Sequence, residues 1–330
     1  MIIGIIGAGH WGRQYIRNFC EIPSVSKVCI FDYSEIQLNK MITKYSHYSR
    51  AYFYKEKSDF FNQNLDAVVV ATNVTSHFHI AKFVLNLGIH CLVEKPMCMI
   101  SKQVEELQAL SIKNKLTLMT GHTLLYSPEV QHMQHLIQSG EAGRPLSAQC
   151  NRLNPGRYQE DCNVLWDLAP HDISVLLYLF NSRVCRVYCQ ASSQDQDQNE
   201  DVGSIQLEFQ SGAIASLNFS WINAHKTRTI NIGCENKEFL FDDNIQTDSL
   251  KVFQRQNGHS VPKLNNQESL KTLCLDFMES ITHNISPIAD VHQALDVVHI
   301  LEAAHQSLRQ AGAGVIINSS SDLNKKTAFH

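Results

Sequence analysis

The first twelve residues, MIIGIIGAGHWG, constrain the fold of this chain more than any other stretch. Isoleucines surround Gly4, and such an apolar run is typical of a strand that is buried on both faces of a parallel sheet. Gly7, Gly9 and Gly12 follow in the spacing G-x-G-x-x-G, and a helical pattern begins within this spacing. Here the first glycine permits a tight turn, the second lets the backbone approach a pyrophosphate, and the third allows the helix to pack closely on the strand. The free N–H groups at the start of the helix attract the same anion, so the stretch predicts a dinucleotide-binding turn.

The residue that ends the next apolar run supports this interpretation. That run covers residues 28–31 and leads to Asp32, which lies 20 positions after Gly12. An acidic residue at about this distance hydrogen-bonds the adenosine ribose of a bound dinucleotide. Because its carboxylate also repels a 2′-phosphate, we expect NAD(H) rather than NADP(H), although a nearby Arg or Lys would weaken that preference. The alternative is a glycine turn followed by an aspartate that only caps the strand.

Length, composition and charge narrow the class of protein. A chain of 330 residues is longer than a single hydrophobic core usually grows, so we expect two domains. The net charge of −4 gives no reason to expect nucleic acid or an anionic membrane as a partner. The sequence has no run of about 18 apolar residues, and its first residues already form a strand, so we expect neither a membrane span nor a signal peptide. These features favour a cytoplasmic protein.

Cysteine and histidine are frequent but are not arranged as metal sites. The ten cysteines are scattered, form no C-x-x-C pair and predict reduced thiols. Among the 16 histidines, His77 with His79 and His132 with His135 have suitable spacings, but no cysteine or carboxylate completes either set. We therefore expect no metal.

The order of predicted helices and strands indicates two domains of different architecture. Helices and buried strands alternate up to about residue 122, which predicts a doubly wound parallel sheet in an N-terminal α/β domain of the Rossmann type, residues 1–122. Beyond it, strands of alternating polarity at 205–209 and 213–221 and a hairpin around Glu235 predict an α+β domain with an open, mostly antiparallel sheet, residues 123–330. The second face of that sheet is polar, which is compatible with a subunit interface or with solvent.

Three strand ends in the first domain are candidates for ligand binding, because open α/β sheets bind ligands there. Thr72 and Asn73 follow one strand, Glu94 and Lys95 follow the next, and His122 follows the last. A cation at Lys95 would lie close to the nicotinamide end of a dinucleotide. The alternative is a surface lysine that pairs with Glu94.

The second domain carries a candidate acid–base pair in the stretch 163–172, NVLWDLAPHD. Asp167 and His171 are four residues apart, so a helix places them on one face, where the carboxylate fixes the tautomer of the imidazole and raises its basicity. Proline is tolerated in the first turn of a helix, so Pro170 predicts that the helix begins near Asp167 and exposes the pair at its start. The alternative is a capping aspartate and an unrelated histidine. Arg152 and Arg157 are either candidates to bind an anionic group, such as a pyrophosphate or carboxylate, or ordinary surface arginines.

With these residues in place, the chain resembles the glucose-fructose oxidoreductase / inositol dehydrogenase / MocA (Gfo/Idh/MocA) family over essentially its full length. The resemblance rests on GAGHWG at 7–12, Asp32, ATN at 71–73, EKP at 94–96 and the D-x-x-x-H of Asp167 and His171. EKP after a Rossmann strand and the later D-x-x-x-H are specific to this family. Many members have glycine where this chain has Ala169 or Pro170, so the start of the helix is expected to differ locally.

The resemblance implies an NAD(P)-dependent oxidoreductase that acts on a sugar or polyol and assembles as a homodimer or homotetramer through the open sheet. The family's catalytic lysine, aspartate and histidine correspond to Lys95, Asp167 and His171. Tyr126 stands where relatives often carry an aromatic residue near the substrate. The residues expected to bind the cofactor lie in the glycine loop and at the strand ends: Gly7, Gly9, His10, Trp11, Gly12, Asp32, Thr72, Asn73, His77, Glu94 and Lys95. Those expected to bind the substrate are Lys95, Tyr126, Arg152, Arg157, Asp167 and His171.

The stretch around Asp167 is most similar to that of bacterial members that oxidise nucleotide-linked sugars. We therefore expect hydride transfer to NAD from C3 of a sugar such as a UDP-N-acetylhexosamine or its uronate, which gives a keto sugar. One alternative is a dehydrogenase of a free polyol, inositol or monosaccharide, and another is a glycosidase that uses NAD for transient oxidation. An alternative of another class is a non-catalytic NAD-binding regulatory protein, which would need none of the three catalytic residues.

Overall fold

The computed structural model describes residues 1–156, 161–194, 199–245, 247–254, 258–265 and 267–317. The chain folds into two compact units, one formed by Met1–Ser127 with Asn266–Leu295 and the other by Pro128–Asn265 with Asp296–His330. In the described part of the chain, no helix is long and apolar enough to cross a membrane. The cysteines are all free thiols, and Cys185 alone among them is not fully buried.

Helices and strands are numbered in chain order. The strands are β1 Ile2–Ile6, β2 Lys27–Phe31, β3 Ala51–Tyr54, β4 Ala67–Val70, β5 His90–Val93, β6 Leu118–Thr120, β7 Pro145–Pro155, β8 Val184–Ser192, β9 Val202–Phe209, β10 Ile214–Ser220, β11 Ile222–Cys234, β12 Lys237–Asp242, β13 Leu250–Gln254, β14 His259–Ser260 and β15 Val315–Ile316. The helices are α1 His10–Glu21, α2 Glu35–Tyr45, α3 Lys57–Phe61, α4 Val74–Asn86, α5 Ser101–Asn114, α6 Pro128–Gln138, α7 Val164–Phe180, α8 Ser269–His283 and α9 Val291–Arg309, with a short 3₁₀ helix at Thr123–Tyr126.

The sheet of the first unit is parallel throughout its described strands and has the order β3-β2-β1-β4-β5-β6. The register aligns the last residues of neighbouring strands, because Ile6 pairs with both Phe31 and Val70, and Val70 pairs with Val93. The segments that follow β1, β2, β4 and β5 therefore begin side by side at one edge of the sheet. This strand order is that of a dinucleotide-binding sheet, and it confirms the predicted α/β architecture.

Helix α8 belongs to the first unit, although it follows strands β7 to β14 of the second unit in sequence. Arg17 on α1 donates a hydrogen bond of 3.0 Å to Glu268, which precedes α8, and the Tyr126 hydroxyl donates one of 2.6 Å to Asp276 within it. The order of predicted elements assigned this helix to the second domain, residues 123–330. Helical periodicity shows which face of a helix is apolar, but it does not show which neighbour buries that face.

The described strands of the second unit form a sheet with the order β14-β13-β12-β11-β7-β10-β9-β8-β15. Neighbouring strands run antiparallel except β7 and β10, which are parallel, so the predicted open, mostly antiparallel sheet is confirmed. In β10, Ala215, Leu217 and Phe219 are buried, whereas the intervening Asn218 is exposed. Helix α7 packs on β7, β9 and β10 and covers the apolar face. The predicted hairpin around Glu235 joins β11 to β12.

Helix α7 begins at Val164, so the prediction of a start near Asp167 is wrong. The Asn163 side chain accepts a hydrogen bond of 3.1 Å from the Trp166 N–H and caps the helix before the predicted start. Pro170 therefore lies inside the helix, where it offers no N–H to the Trp166 carbonyl. The helix tolerates this loss because most of its side chains are buried, and their burial outweighs one missing backbone hydrogen bond.

Candidate active site

The glycine loop between β1 and α1 has the geometry that close approach to a ligand requires. Gly7 has a φ of +94°, and a Cβ there would lie 2.6 Å from the Ala71 carbonyl oxygen. A Cβ on Gly12 would overlap the carbonyl oxygen of Gly7, so only glycine lets α1 start this close to the loop. A Cβ on Gly9, by contrast, would meet no atom within 4 Å. Gly9 therefore borders open space at the start of α1, where backbone N–H groups favour an anion.

Asp32 lies beside this loop, as the sequence predicts. Its Oδ2 accepts a hydrogen bond of 2.7 Å from the Ala8 N–H, and its Oδ1 accepts one of 2.7 Å from the Ser34 N–H. Gln37 adds a second link, because its amide donates to the Ala8 carbonyl at 2.8 Å. Asp32 is partly exposed, and a carboxylate has about four lone-pair sites, so it retains capacity to accept hydrogen bonds from a ribose.

The two residues that open α1 lie at the surface. His10 is exposed, and its Nδ1 lies 2.9 Å from an Arg13 guanidinium nitrogen. Trp11 is half-buried and meets the His10 ring edge-on, with ring centroids 5.6 Å apart. Both predicted cofactor residues thus stand next to the open space at Gly9.

The segment after β4 is fixed by its own hydroxyl groups. The Thr72 and Ser76 hydroxyl oxygens are 2.7 Å apart, and the Ser76 hydroxyl donates to the Asn73 carbonyl at 2.8 Å. Asn73 is exposed and precedes the first residue of α4. The backbone of this loop is therefore tied to the first turn of the helix that follows it.

The segment after β5 pairs a buried acid with a partly exposed lysine. Glu94 is 4% exposed, and its carboxylate accepts hydrogen bonds from the Tyr15 hydroxyl at 2.7 Å and from the Lys95 N–H at 3.0 Å. Burial raises the pKa of Glu94 to about 7, although the hydrogen bond from Tyr15 and the charge of Lys95 oppose this shift. A Cβ on Gly121 would lie 2.8 Å from the Glu94 carboxylate, so the backbone that follows β6 packs closely against this side chain.

Sequence reasoning missed Tyr15 as a residue of this site. It lies on the buried face of α1 and is fully buried, so its spacing is that of an ordinary core residue. His122, at the end of β6, was identified only as a strand-end residue. Its Nδ1 lies 3.0 Å from the Gln293 side-chain oxygen, and burial lowers its pKa to about 4, with the nearby charge of Lys95 adding to the effect. His122 is therefore a neutral, buried neighbour of Lys95 at neutral pH.

Two predicted ligand contacts in the first unit are buried, and the structure gives them other partners. His77 is 1% exposed, and its two ring nitrogens face the backbone carbonyls of Pro96 and Thr72. Tyr126 is 2% exposed; its hydroxyl donates to Asp276 and accepts from the Ala289 N–H. The contacts of these two residues with a ligand stay predictions, and in the structure both side chains hold parts of the first unit together.

In the second unit, Asp167 and His171 stand out from the rest of α7. Within the described segment 162–176, every other residue is buried, whereas these two are partly exposed. Their spacing of four residues places them on one face of the helix. The Trp221 Nε1–H donates a hydrogen bond of 3.1 Å to the Asp167 carboxylate, a contact that the sequence pattern did not reveal. The structure thus presents one carboxylate and one imidazole on the first three turns of a helix whose other side chains up to residue 176 are buried.

Arg152, which the sequence predicts either to bind an anionic group or to be an ordinary surface arginine, is buried in the second unit. Its side chain is 4% exposed, and its guanidinium forms a bidentate ion pair with Asp172, in which Nη2 donates to Oδ1 at 2.8 Å. Asp243 lies 3.8 Å from the same guanidinium. The charge of Arg152 is therefore neutralised inside the unit by Asp172, the residue that directly follows His171. Arg157, the other predicted anion-binding arginine, lies outside the described residues.

Among the residues whose placement is described, no three His, Cys, Asp or Glu side chains cluster closely enough to hold a metal ion.

Two models of one protein family match this chain, one in each unit. The model of the oxidoreductase family with an NAD-binding Rossmann fold, GFO/IDH/MocA, matches residues 1–122. The model of the GFO/IDH/MocA C-terminal domain matches residues 130–239.

Individual relatives are distant but extend over most of the chain. UDP-N-acetylglucosamine 3-dehydrogenase of Acidithiobacillus ferrooxidans is 25% identical over 259 residues, which are 78% of each chain. Myo-inositol 2-dehydrogenase of Thermotoga maritima is 22% identical over 269 residues, which are 78% of this chain and 79% of the relative. The solved structure of the Acidithiobacillus enzyme superimposes with a TM-score of 0.83 at 22% identity and covers 94% of this chain and 98% of that chain. GenD2 from gentamicin A biosynthesis, solved in complex with NAD, gives a TM-score of 0.83 at 20% identity over 97% of both chains.

Proposed function

Because the chain belongs to the GFO/IDH/MocA oxidoreductases and carries their NAD-binding Rossmann domain, we propose that it oxidises a carbinol carbon of a nucleotide-linked sugar to a ketone. The proposed substrate is a UDP-N-acetylhexosamine or its uronate, oxidised at C3. This choice is supported by the similarity to UDP-N-acetylglucosamine 3-dehydrogenase over 78% of both chains. The observation that carries the proposal in the structure is the open space at Gly9, directly beside Asp32 and the start of α1.

The residues at this edge of the sheet fit a dinucleotide, and we propose NAD rather than NADP. A pyrophosphate needs backbone N–H groups without side chains in front of them, and Gly9 provides such an approach. Asp32 would bind the ribose hydroxyls and repel a 2′-phosphate. His10, Trp11, Thr72 and Asn73 would complete the contacts around the cofactor.

In the proposed reaction, bound NAD⁺ supplies the hydride acceptor, and the protein handles the hydroxyl proton. His171 accepts that proton as the C–H bond breaks, so the alcohol loses a hydride and a proton and becomes a ketone. Asp167 orients the imidazole of His171, and the hydrogen bond from Trp221 fixes the Asp167 carboxylate. Lys95 stabilises the negative charge that develops on the sugar oxygen, or takes the proton itself.

A substrate panel tests this proposal. Purified protein is mixed with NAD or NADP and with UDP-sugars, free sugars and inositols, and formation of the reduced cofactor is followed. We expect turnover with a UDP-sugar and NAD, and a loss of kcat of about 10²–10⁴-fold in Lys95→Ala. Lys102→Ala, which removes an exposed lysine of the same unit, is the control and keeps the parent rate. Near-full turnover of Lys95→Ala with a verified substrate would refute the role of Lys95.

A second candidate is a dehydrogenase of inositol or another free polyol. It is supported by the similarity to myo-inositol 2-dehydrogenase over 78% of this chain. The same panel separates the two candidates, because a polyol dehydrogenase reduces NAD with inositol and ignores UDP-sugars. We also propose that the exposed polar face around Asn218 forms the interface of a homodimer or homotetramer; sedimentation at the mass of a single 37.4 kDa chain would contradict this.

A further inference from the structure

We propose that His77 is a positioning residue that ties the segment after β4 to the segment after β5 and thereby fixes the backbone of Lys95. The proposal rests on the proposed function only for the catalytic role of Lys95. The tie itself is a property of the first unit.

The contacts of the His77 ring carry the proposal. His77 lies in the first turns of α4 and is 1% exposed. Its Nδ1 is 3.0 Å from the Pro96 carbonyl oxygen, and its Nε2 is 3.1 Å from the Thr72 carbonyl oxygen. Carbonyl oxygens only accept hydrogen bonds, so a ring N–H must be the donor in each case. A neutral imidazole donates one hydrogen bond and an imidazolium donates two, so the ring pins at least one of the two segments in either state.

The position of Pro96 links this ring to the site. Pro96 directly follows Lys95, so its carbonyl lies one peptide unit beyond the lysine. On the other side, the Lys95 N–H donates to the Glu94 carboxylate, which Tyr15 holds in turn. The backbone of Lys95 is thus anchored on both sides, by α1 through Glu94 and by α4 through His77.

The position of Thr72 links the same ring to the segment proposed to contact the cofactor. The Thr72 hydroxyl lies 2.7 Å from the Ser76 hydroxyl, so α4 holds this loop through a second contact. When Nδ1 carries the proton, the ring binds the segment after β5, while the contact between Thr72 and Ser76 holds the segment after β4 to the same helix, so a shift of one segment is transmitted to the other. The lysine and the cofactor-binding loop therefore keep a fixed separation, which hydride transfer requires because reaction rates depend steeply on alignment.

Three variants test the tie. His77→Leu removes both ring nitrogens, and His77→Gln restores one nitrogen with two N–H donors. His79→Leu is the matched control, because His79 lies on the same helix but is exposed. Amide hydrogen exchange of the peptide that contains Lys95 is measured by mass spectrometry, together with the dissociation constant of NADH, kcat and KM.

The expected result is local and selective. In His77→Leu, exchange at Lys95 rises about tenfold and kcat falls about tenfold, while KM and the NADH dissociation constant change less than about threefold. His77→Gln returns exchange and kcat to within about threefold of the parent, and His79→Leu changes neither. If His77→Leu does not fold, His77→Asn takes its place, since the shorter amide does not reach both carbonyls and should fail where His77→Gln succeeds.

Two results would overturn the proposal: unchanged exchange at Lys95 in His77→Leu, or equal impairment of the Leu and Gln variants, which would mean a purely structural role. The test is separable from that of the proposed function. If Lys95→Ala stays active, the role of Lys95 fails, whereas the exchange measurement still decides whether His77 fixes this segment.

Discussion

Replacement of Gly9 by alanine should separate ligand binding from folding. Gly9 has a φ of −72°, so it does not need the left-handed conformation that favours glycine, and the new Cβ would meet no protein atom within 4 Å. The free energy of unfolding should therefore stay within about 0.5 kcal/mol of the parent. The methyl group would nevertheless occupy the space through which a pyrophosphate reaches the loop.

The expected loss of affinity follows from the hydrogen bonds at stake. A phosphate oxygen that accepts a loop N–H needs a donor–acceptor distance of about 2.9 Å, which a methyl group in front of the loop prevents. Hydrogen bonds to charged groups contribute about 1.5–3 kcal/mol each. Loss of one such bond predicts that NADH binds roughly 10- to 150-fold more weakly, since 1.4 kcal/mol corresponds to a factor of about ten.

Gly12→Ala provides the contrast. Its Cβ would overlap the Gly7 carbonyl oxygen, so α1 must move, and both stability and NADH binding should fall, the former by about 1–3 kcal/mol or more. Urea denaturation gives the free energy of unfolding, and calorimetric titration gives the affinity for NADH. If Gly9→Ala binds NADH like the parent, or loses as much stability as Gly12→Ala, the assignment of the open space to a pyrophosphate is refuted.

Two further predictions concern buried charges. Arg152→Met should lower the free energy of unfolding in urea by about 3–5 kcal/mol because it leaves Asp172 ionised and unpaired, whereas Arg152→Met with Asp172→Leu should recover most of this loss. Glu94 has its pKa raised to about 7 from the ordinary value of 4.5, so the folded state holds the proton more tightly than the unfolded state does. Its contribution to stability is thus fully present below pH 4.5 and is lost as pH rises through about 7, which amounts to about 3 kcal/mol. Glu94→Gln should gain stability relative to the parent between pH 5 and 8, measured by urea denaturation at each pH.

Each of these two predictions has an outcome that would contradict it. For the ion pair, a cost below about 1 kcal/mol in the single variant would mean that water reaches the Asp172 carboxylate despite its burial. For Glu94, a difference between parent and variant that does not change with pH would mean that Glu94 titrates like an exposed acid.

The sequence predicted those parts of the site that depend on neighbours in the chain. The glycine spacing, the position of Asp32 and the four-residue separation of Asp167 and His171 each express local geometry, and the structure places these residues as their patterns require. The parallel, doubly wound sheet followed as well, because alternating helices and strands permit few topologies.

Contacts between distant segments were not predictable in this way. Tyr15 and Glu94 are 79 positions apart, and nothing in either local pattern indicates that the hydroxyl meets the carboxylate. The sequence predicted an anion-binding or surface role for Arg152 and not its burial. That burial and the ion pair with Asp172 depend on the packing of α7 on the sheet, which no local pattern shows. The start of α7 was predicted wrongly from Pro170 for the same reason. The tertiary packing that compensates for the lost backbone hydrogen bond cannot be inferred from the sequence of the helix alone.

The placement of α8 has a consequence for how the protein is made. The first unit uses residues from both sides of the segment 128–265 of the second unit, and the contact between Arg17 and Glu268 spans 251 positions. During synthesis, the parallel sheet is complete long before the helix that buries its α1 side leaves the ribosome. Until Leu270, Leu273 and Phe277 on α8 have been made, α1 stays partly uncovered. The nucleotide-binding unit therefore reaches its full stability only after residues 128–265 of the second unit have been synthesised, so long-range contacts set the order of folding.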